Sequence, residues 1–204
     1  MAAGDTDVSI CSEALILLGQ TSITSFDDGT AGAGAASKIY PKVKSSTLGM
    51  YPWTFTLAKT QLAQLSDAPT NVWQYAYSLP AQMLTGVPRS VYNSGNVGAA
   101  VVKEFEIQGN DLLTDYSTIY VDYQQSINEQ AMPHYFVKLL TYQMAWHLAI
   151  PITDQSTMME TYRTIALGPL SESGRGGFFR TATSIDSAGQ STTIIGDYLL
   201  TEVR

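Results

Sequence analysis

Apolar residues recur at helical spacing from the start of the chain. In DTDVSICSEALILLG, residues 5–19, Val8, Cys11, Ala14, Leu15 and Leu18 share one face and predict an amphipathic helix. Asp5 or Asp7 is placed to cap its start and Gly19 to stop it. The loop QTSITSFDDGT follows, with Ile23 and Phe26 as apolar anchors. Residues 30–48 open with TAGAGAAS and predict a second helix. Its small residues allow a neighbour to approach closely, although Gly32 and Gly34 weaken helix propensity. Pro41 is expected to kink or split it.

The period then changes. From Trp53 to about Gln125 apolar residues alternate: Trp53, Phe55 and Leu57, then Trp73, Tyr75 and Tyr77, and in part VVKEFEIQ and STIYVDYQ. Turn-forming clusters, SDAPTN, NSGN and QGND, separate these runs. The middle of the chain is therefore a small antiparallel sheet, with TLAKTQLAQL compatible with strand or helix. Helical spacing returns at Met132. Pro133 suits a first turn, Phe136, Leu139, Leu140, Gln143, Met144 and His147 share a broad face, and Pro151 is expected to end the helix. Asp154 is placed to cap a further helix that Gly168-Pro169 ends or kinks. GRGGFF reads as a hinge. The Ser-, Thr- and Gly-rich remainder reads as an extended arm whose apolar grips are Phe178, Phe179, Ile194, Ile195, Tyr198 and Leu199. The order of elements is two helices over residues 5–50, a β-rich middle over 51–130, two helices over 131–173 and an arm over 174–204, so the fold class is α+β.

At 204 residues the chain can bury a substantial core, and 45% hydrophobic residues mark it as globular. Only 14% of residues are charged, about half the usual share. Such a surface is easily buried against another subunit, and it equally suits a neutral-surfaced monomer. The net charge is −7 and there is no cluster of Lys and Arg, which excludes a tight phosphate-gripping nucleic-acid binder. The single cysteine, Cys11, excludes an internal disulfide and a cysteine zinc site, and is expected to be a small buried hydrophobe. MAAGDTD has neither a basic region nor an apolar run, and no stretch reaches the length of a membrane span, so no signal peptide and no membrane partner are expected.

No catalytic constellation stands out in the sequence. His134 and His147 lie thirteen residues apart on one predicted helix, roughly 20 Å of rise, and cannot share a metal. Asp27-Asp28 precedes Gly29 and fits a turn or cap. No Ser-Gly pair sits in a nucleophile elbow, and GTAGAGAA lacks the Gly-Lys-Ser/Thr of a phosphate loop. No catalytic residue, metal or cofactor is expected. Aromatic density without surrounding chemistry points to assembly. The candidate core or interface residues are Trp53, Phe55, Trp73, Tyr75 and Tyr77.

Five motifs occur in a telling order: D-V-x-I-C-x-x-A-L-x-L-L-G, I-x-S-F-D-D-G, L-x-x-Y-P-W-x-F, W-x-Y-A-Y-x-L-P, and M-P-x-x-F-x-x-x-L followed by Y-x-M-A. Over residues 5 to about 175 this order resembles the tail tubular protein A family, the head-to-tail adaptors of short-tailed bacteriophages. The resemblance implies a structural, non-enzymatic ring, in that family usually of twelve copies, each subunit having a helical bundle formed by its N- and C-terminal helices (5–50 and 131–173) and a separate β-rich lobe (51–130). It implies the portal protein above, the tail nozzle protein (and tail fibres) below, and DNA passing through the lumen without specific binding. It implies a place in the virion neck after synthesis in the host cytoplasm, and a single adaptor domain over 1–204. The acidic balance would then keep DNA from sticking to the channel. A tail-associated hydrolase and a soluble binding module are the alternatives from other classes.

Overall fold

The computed structural model describes residues 5–67, 69, 72–96 and 99–189. It combines five α-helices with two three-stranded antiparallel sheets.

Helix α1, Asp7–Leu17, starts at Thr6 rather than at either aspartate. Thr6 Oγ1 accepts from the Ser9 N–H at 3.1 Å while Ser9 Oγ accepts from the Thr6 N–H at 2.9 Å, a reciprocal box that satisfies two end donors. Asp7 lies in the first turn, beside the positive end of the helix dipole. Helix α2, Ala31–Gly49, is unbroken, with Pro41 inside it. Pro41 is exposed, where water can meet the carbonyl left without a helical donor. The small residues act as expected at the α1–α2 contact. A Cβ on Gly32 would lie 3.2 Å from the Leu15 methyl carbons, and Ala33 and Ala36 are fully buried.

Helix α3, His134–Thr153, is the axis against which α1, α2, α4 (Ser156–Leu167) and α5 (Gly177–Ser187) pack. Pro151 does not end α3; the helix runs two residues further, to Thr153. Asp154 closes it in the left-handed region (φ 54°), its N–H on the Ile150 carbonyl at 3.0 Å, and Gln155 rather than Asp154 precedes α4. The Tyr162 hydroxyl of α4 donates to the Leu17 carbonyl, meeting one of the end acceptors of α1.

The expected extended arm is corrected over its first part by α5. Phe178, Phe179, Ala182 and Ile185 recur at helical spacing, and Phe179 and Ala182 are buried in the bundle. The expected hinge is a packed junction. A Cβ on Gly177 would fall 2.6 Å from both the Gly168 nitrogen and the Ile165 carbonyl oxygen, so only glycine lets the α5 start press on the end of α4. Ile194, Ile195, Tyr198 and Leu199 lie outside the described residues.

The lobe holds β1 (Leu57–Gln61), β2 (Tyr75–Ser78), β3 (Ser90–Tyr92), β4 (Glu106–Gln108), β5 (Asp111–Thr114) and β6 (Tyr120–Gln124). One sheet has the order β1-β6-β3, with Lys59 and Ser90 both opposite Asp122; the other has the order β2-β5-β4, with Tyr77 opposite Leu112. TLAKTQL is thus strand, not helix. A two-residue turn joins β4 to β5, with Gly109 at φ 63°, where a hairpin turn requires positive φ. The lobe has its own core, built from Tyr77, Leu79, Val91, Leu112, Ile119 and Val121.

Candidate functional site

The aromatic stretch that opens the middle of the chain does not begin the sheet. Thr54–Thr56 form a 3-10 turn, and Trp53, Phe55 and their neighbours join the bundle core instead. The expected strand alternation at Trp53 and Phe55 is therefore corrected. Pro52 and the tight turn redirect the chain, with the Thr56 N–H and hydroxyl both on the Trp53 carbonyl, at 3.0 and 2.7 Å.

Trp53 is fully buried and central. Its ring meets Tyr51 and Phe136 edge-on at 5.1 Å, stacks on Phe55 at 6.0 Å and meets Phe179 edge-on at 6.0 Å. These are favourable quadrupole geometries beyond the area they bury. The indole N–H donates to the Thr47 carbonyl near the end of α2, at 3.2 Å. One ring thus joins α2, the 3-10 turn, α3 and α5.

Beside this hub lies a buried carboxylate. Asp186 of α5, 3% exposed, accepts from the Thr54 N–H at 2.9 Å, the Thr54 hydroxyl at 2.7 Å and the Tyr135 hydroxyl at 2.6 Å. Burial and the Asp186 carboxylate push the Tyr135 phenol well above its ordinary range, so it stays a donor. A second link runs from bundle to lobe: the Gln124 amide, at the end of β6, donates to the Leu48 and Tyr51 carbonyls at 2.7 and 2.8 Å.

A third network ties α2 to the turn before α3. Glu129 accepts from Lys44 Nζ at 2.8 Å and from the Tyr40 hydroxyl at 3.0 Å. Burial opposes ionisation of Glu129, but Lys44, the backbone and Tyr40 outweigh it, and the carboxyl sits below its ordinary 4.5. A folded value below the unfolded one gives stability that is present above the ordinary value and lost as pH falls through the folded one. Glu129→Gln is therefore expected to be less stable than the wild type at neutral pH. The gap should narrow as pH falls below 4.5. Urea midpoints across that range measure it, and a gap independent of pH rules the linkage out.

Tyr77 is buried in the lobe core, its hydroxyl on the Tyr116 carbonyl at 2.7 Å. Tyr75 is half-buried against the same core, and the half-buried Trp73 donates its indole N–H to the Glu106 carboxylate at 3.0 Å. Phe178 meets Tyr142 edge-on and lies under the Lys138 ammonium. Cys11 is fully buried, and burial pushes its thiol up to about 12, so it behaves as an inert apolar side chain. Asp28 closes a turn, accepting from the Thr24 and Ser25 N–H groups at 2.7 and 3.1 Å, and these backbone donors hold its carboxyl below its usual range. His134 begins α3, while His147 stacks on Trp146 and burial lowers its pKa. The two stay apart, as their spacing requires.

Trp53 and Asp186 are buried and their polar groups are satisfied, so their capacity is mechanical: they hold α2, α3 and α5 against the turn that leads into the lobe. Among the described residues no group of three or more His, Cys, Asp and Glu side chains is arranged for a metal, and no described helix is long and apolar enough to cross a membrane. Open surfaces include a groove of about 570 Å³ along α1 beside Ile23 and Thr24, one of about 440 Å³ between α1 and α3, and one of about 430 Å³ on the β1-β6-β3 sheet, beside Lys59, Arg89 and Asp122. Sequence reasoning missed Asp186, Tyr135 and Thr54, since nothing in their spacing sets them apart from surface polar residues. No family model matches the chain, and no curated protein matches it.

Proposed function

We propose that this chain is a structural head-to-tail adaptor of a short-tailed phage virion, one subunit of a ring between portal and tail nozzle. The observation that carries the proposal is the ordered set of five motifs, from the α1 pattern to the α3 pattern, that resembles the tail tubular protein A family. The fold supports it in a coarser way. Helices from both ends of the chain form one core, a β lobe projects between them, and the Y-P-W-x-F motif sits where the two meet. A subunit that must keep its shape while neighbours and DNA press on it benefits from such a rigid junction. The low content of charge, 14%, suits surfaces that end up against protein. The net charge of −7 suits a lumen that DNA passes without binding.

The test is the mass and shape of the purified protein with and without the portal ring of the same virion, by light scattering and negative-stain imaging. The expected result is a closed ring, or a portal carrying a new layer beneath it. A monomer that leaves the portal unchanged overturns the proposal.

A further inference from the structure

Charge is segregated along the chain in a way its internal contacts do not use. The first 37 residues hold Asp5, Asp7, Glu13, Asp27 and Asp28 and no Lys or Arg; residues 29–66 hold Lys38, Lys42, Lys44 and Lys59 and no Asp or Glu. Among the described residues the ion pairs are Lys44–Glu129 and Lys59–Asp122, so Lys38 and Lys42, both exposed on α2, enter none. Glu13, exposed on α1, enters none either.

Each of these charged faces borders exposed apolar surface on α3. On the acidic face, Asp5 and Glu13 line the α1–α3 groove, whose floor includes Leu17 and Tyr142 and whose rim carries Ile16, 55% exposed. Lys138, on the same groove, is turned over the Phe178 ring at 5.1 Å. On the basic face, Lys42, Ser46 and Met50 follow one i, i+4 row of α2. Met50 Sδ meets the Gln143 amide at 3.7 Å, and Gln143 holds the Trp146 indole at 2.7 Å. Ile150, one turn beyond Trp146, is 48% exposed. The result is an apolar ridge of Met50, Trp146 and Ile150 with a lysine at its edge. Thr141 in the groove and Ile150 on the ridge are nine residues apart on α3. At about 3.6 residues per turn they point half a turn from one another. Tyr142 of the groove and Trp146 of the ridge are one turn apart on the same side, so the groove, near the start of α3, and the ridge, near its end, adjoin along the helix while Ile150 turns away.

We infer that the ridge of one copy docks into the α1–α3 groove of the next, with Lys42 facing Glu13. The occupant is a second copy of this chain. Groove and ridge are unlike and complementary patches, and the ridge of each copy meeting the groove of the next makes a heterologous contact, which repeats from copy to copy and closes into a ring if the rotation permits. A half-buried Trp beside Met50 and Ile150, with His147 stacked on it, has the make-up of an interface anchor. This inference rests on the ring reading for its biological sense, but the contact itself is tested separately.

The test is disulfide trapping between copies. Cys11 stays in place, since it is buried, and the new cysteines are at exposed positions, so folding is checked by an unchanged melting curve. Mixing Glu13→Cys with Lys42→Cys protein is expected to give a covalent dimer on oxidation, and one chain carrying both is expected to give a ladder of multimers. Leu170→Cys, 79% exposed on another part of the surface, replaces Glu13→Cys as the control. For charge, ridge and groove variants are combined in one chain with cysteines at Ile16 and Ser46. Glu13→Lys alone or Lys42→Glu alone should cut the trapped yield about tenfold, and the pair should restore it. A yield no higher than the control, or charge swaps without effect, overturns the inference. A ring that forms without these cross-links sinks this contact and leaves the adaptor proposal standing. Cross-links in a chain that never engages the portal do the reverse.

Discussion

Trp53→Ala is expected to be the most damaging single substitution in the bundle. Truncating a fully buried tryptophan leaves a cavity that Tyr51, Phe55, Phe136 and Phe179 cannot close without breaking their edge and stacking geometries. Large aromatic truncations of this kind cost about 3–5 kcal/mol. In a chain of this size that lowers the melting temperature by on the order of 10 °C. The substitution also frees the Thr47 carbonyl, which accepts the indole N–H. Trp73→Ala is the comparison, because Trp73 is half-buried and caps the edge of the lobe, and its loss should cost about 1 kcal/mol. Thermal and urea unfolding of the two variants measure the difference. Equal losses would show that Trp53 is one aromatic among many and not the junction of the fold.

Asp186→Ala is expected to release α5. The substitution leaves the Thr54 N–H, the Thr54 hydroxyl and the Tyr135 hydroxyl without their acceptor. The asymmetry of hydrogen bonding matters here: a buried donor stripped of its acceptor bears its whole desolvation cost. Each such donor amounts to about 1–3 kcal/mol, discounted where Thr54 and Tyr135 can turn toward water. A loss of about 3 kcal/mol is expected for Asp186→Ala and about 1 kcal/mol for Tyr135→Phe, which removes one donor and keeps the carboxylate satisfied by Thr54. The two should be strongly non-additive in a double-mutant cycle, because both act on the same bond. Hydrogen exchange gives the spatial check. In Asp186→Ala the amides of α5 should lose protection ahead of those of α3, since the helix then keeps its apolar contacts and its Gly177 junction but no polar tie at its C-terminal end. Uniform loss across the bundle would mean that the carboxylate supports the whole core and is not a latch for α5.

The sequence by itself determined what depends on neighbours a few residues away. The α1, α2 and α3 patterns, the turns around Gly109 and Asp28, the alternation at Tyr75 and Tyr77 and the burial of Cys11 all follow from spacing and local backbone chemistry. So does the α+β class. Apart from the helix caps at Thr6 and Asp154, which local bonds decide, the misread positions share one cause: a local preference was overruled by partners distant in sequence. Pro41 and Pro151 stay inside helices because each lies on an exposed side and the rest of the helix is packed. Trp53 and Phe55 alternate like a strand, yet they sit in a 3-10 turn because Phe136 and Phe179 offer a better-packed place for their rings than a sheet does. The stretch after Gly174 reads as a loose arm because its helix has few apolar residues and weak helix formers. Only tertiary structure supplies its hold, a backbone-on-backbone glycine junction at one end and Asp186 at the other. The partners of Asp186 lie 51 and 132 residues away in the chain. No periodicity extends over such separations, because what brings those groups together is the packing of α3, not the order of the letters.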